Sequence, residues 1–325
     1  MPVCRRVQRT GTATHTISLP KEWVKRQGIK PGAELYIFEE EDGSLSVKTR
    51  GEAHSVRSAE INVDEIIEPV HLRRTFLAKY LKGYNVIRIY SKGKGIPSEL
   101  RSAVIAEVDR LIGVEVTEEK SDEIVVQDFF SHQGLSVEKT MKRAYMLASG
   151  MQENAVRAFL YGNEKVARDV IAMDDEVDRL RYLVTRQLNL ALSDSGLMRS
   201  LGITASDCLE FASLSRCIEG IGDENVKIAE NTLKALRKRR ALQDSVRTIE
   251  RRNDDAARIH SGAVKAFFDR DFMLANKMLA LREEIADEEA EVVKNEHARM
   301  VVESLDRIAD YGAEIAELAV DRVKK

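Results

Sequence analysis

Proline runs out early in this chain. Pro2, Pro20, Pro31, Pro69 and Pro97 are its only five, so no helix-interrupting proline occurs after Pro97. Cysteine is scarce and odd in number: Cys4, Cys208 and Cys217 have no framework spacing, which excludes a disulfide scaffold and predicts a reducing cytoplasm with mostly buried thiols. No apolar run approaches the length of a membrane span, and no signal peptide precedes the basic start, so the sequence predicts a cytoplasmic protein that is not membrane-embedded. The six histidines (His15, His54, His71, His132, His260 and His297) form no paired motif. Nucleophile elbows and His-Glu-x-x-His spacings are absent as well, and no enzyme is predicted.

What remains is charge and helix. Apolar residues make up 43% and charged residues 32% of the 325, the balance of a globular protein with heavily charged helix surfaces. That length suggests two or three domains. The overall charge of -3 hides a basic end: Arg5, Arg6, Arg9, Lys21, Lys25, Arg26 and Lys30 face a single acid, Glu22, within the first thirty residues. Such an end points to a polyanion, most often nucleic acid, although the same cations also keep a small domain soluble.

Residues 1–52 read as a β-rich unit. Val3 to Val7 alternates as a strand, Arg9-Thr10-Gly11-Thr12 as a turn, and Thr14 to Leu19 as a second strand ending at Pro20. A short helix follows from Pro20, with Trp23 as a core anchor, and closes at Gly28. Two further strands, Glu34 to Phe38 and Ser44 to Val47, flank an Asp42-Gly43 hairpin signal. About fifty residues of short strands bury little alone, which predicts obligate dimerisation. The run Ile17-Ser18-Leu19-Pro20-Lys21-Glu22 followed by Gly28-Ile29-Lys30-Pro31-Gly32 resembles the AbrB/SpoVT/MazE swapped-hairpin DNA-binding domains. That resemblance implies two chains exchanging hairpins and presenting basic loops to double-stranded DNA. Arg5, Arg6 and Arg9 are the implied contacts, with Lys21, Lys25 and Arg26 as secondary ones. Such cations supply affinity by counterion release, while base-edge contacts supply sequence choice.

Residues 53–132 read as a small α/β section: strand 57–63, helix 65–82, strand 85–91, helix 97–112 and strands 114–119 and 123–129. Ser91-Lys92-Gly93-Lys94-Gly95-Ile96-Pro97-Ser98 joins a strand to a helix start. It reads as an ordinary turn, with anion binding at its N–H groups as the alternative. No phosphate-loop or dinucleotide fingerprint is present.

From residue 133 the pattern is helical to the end, with helices at 136–161, 164–193, 205–235, 241–268, 271–297 and 299–323. The stretch from Glu219-Gly220-Ile221-Gly222-Asp223 to Ile228-Ala229-Glu230 returns as Asp306-Arg307-Ile308-Ala309-Asp310 to Ile315-Ala316-Glu317. Ala155 to Leu160 likewise returns as Ala263 to Phe268. Two units of three helices follow, about 136–236 and 241–325. Their acids stand four apart on helix faces: Glu219 with Asp223, Asp306 with Asp310, and Asp174 with Asp178. Like charges at that spacing cost a few tenths of a kcal/mol, which suggests a shared cation; pairing with neighbouring arginines such as Arg179, Arg216 and Arg307 is the alternative. In the second copy the aligned partners of Asp174 and Asp178 are Arg282 and Ala286, unless the register shifts to Glu283 and Asp287. Arg237-Lys238-Arg239-Arg240 joins the halves as a solvated junction.

This tail resembles PhoU, the phosphate-uptake regulator family of paired three-helix bundles. The family's acidic pairs bind metal ions, and the resemblance carries that role to Asp174, Asp178, Glu219, Asp223, Asp306 and Asp310. All-carboxylate ligands suit Mg²⁺, Mn²⁺ or iron, with Zn²⁺ also admitted. The combined reading is multidomain: a swapped-hairpin head, an α/β middle section and an all-α domain of two three-helix bundles, an arrangement resembling archaeal PhoU-related proteins. It implies a regulator of phosphate uptake that binds DNA as a homodimer. The rival is an accessory protein that only dimerises through the head and restrains a phosphate ABC transporter by docking on its ATPase. An antitoxin would share the head but have no use for the tail.

Overall fold

A computed structural model describes residues 3–39, 43–49, 56–66, 68–93, 95–130, 135–236, 245–287 and 293–322. The chain divides into two compact units, Met1–Arg57 and Ser58–Lys325.

The first unit is two hairpins around a short helix. Strand β1 (Gln8–Thr10) pairs antiparallel with β2 (Thr14–Thr16), placing Arg9 opposite His15. Helix α1 (Lys21–Arg26) starts after the extended Pro20, and Trp23 on it is half-buried. Strand β3 (Leu35–Glu39) pairs with β4 (Leu45–Thr49). The first strand therefore sits later than the alternation of Val3 to Val7 predicts: those residues lie outside any ladder and are exposed. Among the described residues of this unit nothing covers their apolar side chains, and a strand needs a neighbour to supply its hydrogen bonds. The Asp42 position of the expected turn lies outside the described residues.

The second unit begins with the α/β section. A four-stranded sheet runs in the order β5-β6-β8-β7, with β5 (Ser58–Asn62) parallel to β6 (Val86–Tyr90) and the other pairings antiparallel. Strands β7 (Val114–Glu119) and β8 (Glu123–Asp128) form a hairpin. Alternation sets the two faces. Ile61, Ile87, Ile89, Ile124 and Val126 point into a core shared with Leu72, Phe76 and Tyr80 of α2 (Pro69–Leu81) and with Leu100, Val104 and Val108 of α3 (Ser98–Asp109). The opposite face is polar, with Arg88 bridging Glu60 and Glu123.

The helical part holds two triplets. The first comprises α4 (Val137–Tyr161), α5 (Glu164–Ser193) and, after a short helix α6 (Ser195–Leu201), the long α7 (Ala205–Leu236). The second comprises α8 (Val246–Asp269), α9 (Phe272–Asp287) and α10 (Glu296–Asp321). Duplication shows in the turns as well as in the helices. Gly162 ends α4 in the left-handed conformation (φ 65°), and the Asn163 side chain accepts from the Val166 N–H at 3.2 Å to start α5. Arg270 ends α8 in the same conformation (φ 56°), and Asp271 accepts from the Leu274 N–H at 2.9 Å to start α9. The two triplets share one apolar core, joined along α4–α8 and α7–α10. Where α7 crosses α10, Gly220 leaves room for the Tyr311 ring.

Helix α6 was not expected from the sequence. Asp194 caps it, accepting from the Gly196 N–H at 2.8 Å, and Gly202 closes it with φ 68°. Helix α8 begins later than expected, α9 is described as far as Asp287, and α10 starts at Glu296. The basic junction Arg237–Arg240 lies outside the described residues.

Candidate carboxylate seam and cationic head

Helices α5 and α7 lie side by side and bring four of the expected acids into one field. Asp174 stands against Gly222: a Cβ there would sit 3.3 Å from its Oδ1. Burial, then the negative charges of Asp178 and Asp223, push the Asp174 carboxyl up to about 6. Asp223 and Glu219 are also raised, each chiefly by burial, with Arg181 opposing the shift of Glu219. Among the described residues neither Asp174 nor Asp223 has a cation within ion-pair distance, whereas the other two acids do. Asp178 meets Arg110 at 3.4 Å and Arg181 at 3.6 Å, and Glu219 meets Arg181 at 3.3 Å. Asp178 also accepts from the Tyr182 hydroxyl at 3.3 Å.

The second triplet is built differently. Arg282 stands at the seam, and its Nε and Nη2 reach Asp310 Oδ1 at 2.9 and 2.7 Å. Arg307 adds a contact to Asp310 at 3.7 Å, and Arg252 of α8 lies 3.8 Å from Asp306. Burial raises the Asp306 carboxyl, against the pull of Arg252 and Arg282. Of the two registers open in the sequence, the one with Arg282 facing α10 holds, and Glu283 is exposed. The side chain of Asp287 lies outside the described residues.

These donor sets differ in their fitness for a metal. Among the described residues no three carboxylate, imidazole or thiol groups stand close enough to share one ion. In the first triplet, half-buried Asp174 and exposed Asp223 have no ion-pair partner among the described residues, and Asp174 lies beside the side-chain-free Gly222; they are oxygen donors of the kind a hard cation takes, but two alone do not complete a site. In the second, a guanidinium already fills the corresponding place, and the residues do not fit a metal there.

The glycine-lysine loop after β6 is occupied by the protein itself. Asp64 accepts from the Ser91 hydroxyl at 2.6 Å and from the Lys92 N–H at 2.7 Å, and the Gly93 N–H is taken by Ser91 Oγ at 3.1 Å. These bonds, the Ser91 hydroxyl foremost, hold the Asp64 carboxyl below its usual range. The ordinary-turn reading of this loop stands; an incoming anion would meet the Asp64 carboxylate.

In the head, Arg5, Arg6, Arg9, Lys21, Lys25 and Arg26 are all exposed. Arg9 leans on the hairpin turn, donating to the Thr12 carbonyl, and Arg5 donates to the Cys4 carbonyl at 3.2 Å. Lys25 and Arg26 close α1, where cations suit the helix dipole. Sequence reasoning missed the arginines that serve the acids from a distance, Arg110 above all, because nothing in the chain near residue 110 points to residue 178.

A duplicated three-helix bundle with a carboxylate seam, carried with a separate cationic β-head, defines the class of this protein. Residues 141–232, which coincide with the first triplet, match the PhoU domain, and residues 8–52 match the family described as antidote-toxin recognition MazE, bacterial antitoxin. The chain thus carries a PhoU domain and an N-terminal MazE/AbrB-like domain. Among solved structures it is similar to PhoU from Pseudomonas aeruginosa (20% identity, TM-score 0.48, covering 57% of this chain and 93% of that one). It is also similar to the phosphate transport system regulatory protein PhoU from Streptococcus pneumoniae (18% identity, TM-score 0.43, covering 58% and 96%). No curated protein matches it by sequence. Among the described residues no helix is long and apolar enough to cross a membrane.

Proposed function

We propose that this chain regulates phosphate uptake, with the helical part as sensor and the head as a paired grip on duplex DNA. The observation that carries the reading is the coincidence of the PhoU match with the triplet that bears the carboxylate seam, in one chain with a MazE-type head. In this reading Asp174 and Asp223 hold a hard cation such as Mg²⁺ or Mn²⁺, and Asp178 and Glu219 exchange their arginines for it. Such a cation supplies charge neutralisation across the α5–α7 seam. It acts as a signal by favouring one arrangement of the chain over another by a definite free energy. The role is regulatory rather than enzymatic.

The head's exposed cations are the supporting feature for DNA. Each phosphate contact releases counterions, so binding falls steeply with salt. The test is occupancy of promoters in cells grown with and without phosphate, together with gel shifts against the gene's own upstream region. Wild-type chain shifting a specific duplex, and Arg5→Ala/Arg6→Ala/Arg9→Ala failing to, is the expected result. Binding to a phosphate transporter's ATPase with no promoter occupancy would replace the reading with that of an accessory protein.

A further inference from the structure

The four-stranded sheet of the α/β section ends on an open edge. β7 bonds to β8 on one side, and among the described residues no strand takes the other. An edge strand turns a row of backbone N–H and C=O groups outward, a template for one more strand. The regular part of this ladder runs from Val114 to Val116, after which a bulge at Thr117 shifts the register.

Beside that edge the two layers do not close on each other. An open groove of about 540 Å³ is lined by Ile105, Val108 and Leu111, on and just after α3, and by Val114, Val116 and Phe129 on the sheet side. Val108, Leu111 and Val114 are buried, whereas Phe129 is 60% exposed. Phe129 is nonetheless held in place, because its N–H donates to the Gly113 carbonyl at 2.8 Å and so extends the pairing of β7 with β8.

The charge around the groove has one sign. Asp109 and Glu115 also line it, no lysine or arginine does, and both acids are exposed without an ion pair among the described residues. Further along the strand the acids are already matched, Glu118 with Lys120 at 2.8 Å and Glu119 with Arg101 at 2.7 Å. A second copy of β7 is therefore a poor occupant. It would bring another Glu115, Glu118 and Glu119 alongside the first three, and like charges across a strand pair are destabilising.

We propose that this edge takes up an extended basic segment of a partner protein as a fifth strand. Val114 and Val116 pack into the core shared with α3, so the exposed Glu115 between them points to the other face of the sheet. The incoming strand then lays alternate apolar side chains in the groove, against Val116 and Phe129. Its intervening lysines or arginines lie on the face of Glu115. Main-chain bonds supply the affinity in this mode, and the alternate side chains supply the choice. The inference is independent of the carboxylate seam and of the head.

The test uses the full chain and labelled heptapeptides, acetylated and amidated, with binding read by fluorescence anisotropy and β7 followed by hydrogen exchange. The basic probe is Thr-Val-Lys-Val-Lys-Val-Thr. One control has glutamate for lysine, and another is N-methylated at every valine and lysine. The basic probe is expected to bind at least about tenfold tighter than either control, and to protect amides of residues 114–116 that exchange freely without it. Glu115→Lys, an exposed change, reverses the preference between the lysine and glutamate peptides. Phe129→Ser weakens the basic probe at least about fivefold.

Failure of the basic probe to bind, or equal binding of the lysine and glutamate peptides, overturns the proposal. Binding that leaves β7 exchange unchanged, or that survives both variants, places the peptide elsewhere on the acidic surface and overturns it too. Protection of every β7 amide in the chain alone means that a second copy already holds the edge, with the same consequence.

Discussion

The Arg186 guanidinium of α5 lies 2.6 Å from the Asp128 carboxylate at the end of β8, and both side chains are closed to solvent, at 0% and 2% exposure. The same guanidinium donates to the carbonyls of Tyr80 and Tyr84 and stacks 4.7 Å from the Tyr80 ring. Removing one member of such a pair strands a charge in the interior and costs about 3–5 kcal/mol, whereas replacing both costs much less. Arg186→Met and Asp128→Asn are each expected to lower the urea midpoint strongly. The double variant recovers a large part of the loss. Because this pair joins the α/β section to the bundle, the single variants also split one unfolding transition into two, read by fluorescence and circular dichroism together.

Arg270 repeats the left-handed turn that Gly162 makes in the first triplet, but with a side chain attached (φ 56°). A non-glycine residue there costs on the order of 1 kcal/mol. Arg270→Gly is therefore expected to stabilise the chain by about that amount, seen as a thermal midpoint higher by a few degrees. Gly162→Ala is expected to lose as much, and somewhat more because its Cβ would sit 3.1 Å from Leu236.

Two glycines on the bundle's crossings give a graded test of packing. On an open helix, Gly→Ala gains about 1 kcal/mol. At Gly220 a Cβ would lie 2.3 Å from the Tyr311 ring, and at Gly312 it would lie 2.9 Å from the His260 backbone nitrogen. A ring can swing aside, but a backbone cannot. Gly220→Ala should cost about 1–3 kcal/mol, with part of that cost removed by Tyr311→Leu. Gly312→Ala should cost more, and trimming Ile259, whose Cγ2 would lie 2.8 Å away, should recover only part of it because the backbone contact remains; chemical denaturation of both variants checks the order.

The triplets were legible because each helix carries its apolar period and its own start and stop residues, as Ser136, Asn163 and Gly162 show. Helix α6 carried Asp194 and Gly202 at its ends too, but seven residues are too few for a period to register against Gly196 and two serines. The acids Asp174, Asp178, Glu219 and Asp223 could be grouped because the spacing is local and the repeat fixes which helices face. Counting from the phenylalanines of the first copy brought Arg282 to the seam as one of two registers, and the structure chose it over Glu283. Arg110 and Arg186 could not. Each makes its decisive contact with a residue 58 or more positions away, and on its own helix each reads as one more surface cation. The head's first strand was misplaced for a related reason: alternation marks which side chains want cover and says nothing of what supplies it.

His260 sets the pH dependence of the bundle's centre. Its Nδ1 meets the Tyr145 hydroxyl at 2.8 Å and its Nε2 meets Gln152 Oε1 at 2.8 Å, so α8 is tied to α4 through a neutral ring. Burial depresses the ring from 6.5 to about 4. With a folded value below the unfolded one, the stabilisation is complete above pH 6.5 and is lost as pH falls towards 4, because the unfolded chain takes up the proton first. The full difference is on the order of 3 kcal/mol. The raised carboxyl of Asp174, at about 6, gives the opposite slope over the same range, so the histidine is read as the difference between chains: from pH 7 to pH 4 the wild-type chain should lose stability relative to His260→Gln, which itself is less stable at pH 7.

The head makes the last prediction. Val7, Ile17, Ile37 and Leu45 are each more than half exposed in one copy, although they sit in or beside its few strands. An isolated two-stranded hairpin is marginal in water, and this unit has two of them around a six-residue helix with no buried residue. Cover from a second copy would resolve both difficulties, since the swapped arrangement expected from the sequence would place these side chains in a shared core. The full chain should then sediment as a dimer. Ile37→Asp/Leu45→Asp places two carboxylates in that core, at a cost of several kcal/mol, and should weaken dimerisation at least about a hundredfold, since each 1.4 kcal/mol is a factor of ten. A monomeric wild-type chain at micromolar concentration would remove the pairing on which the DNA reading depends. A dimer untouched by the double substitution would place the interface outside the head.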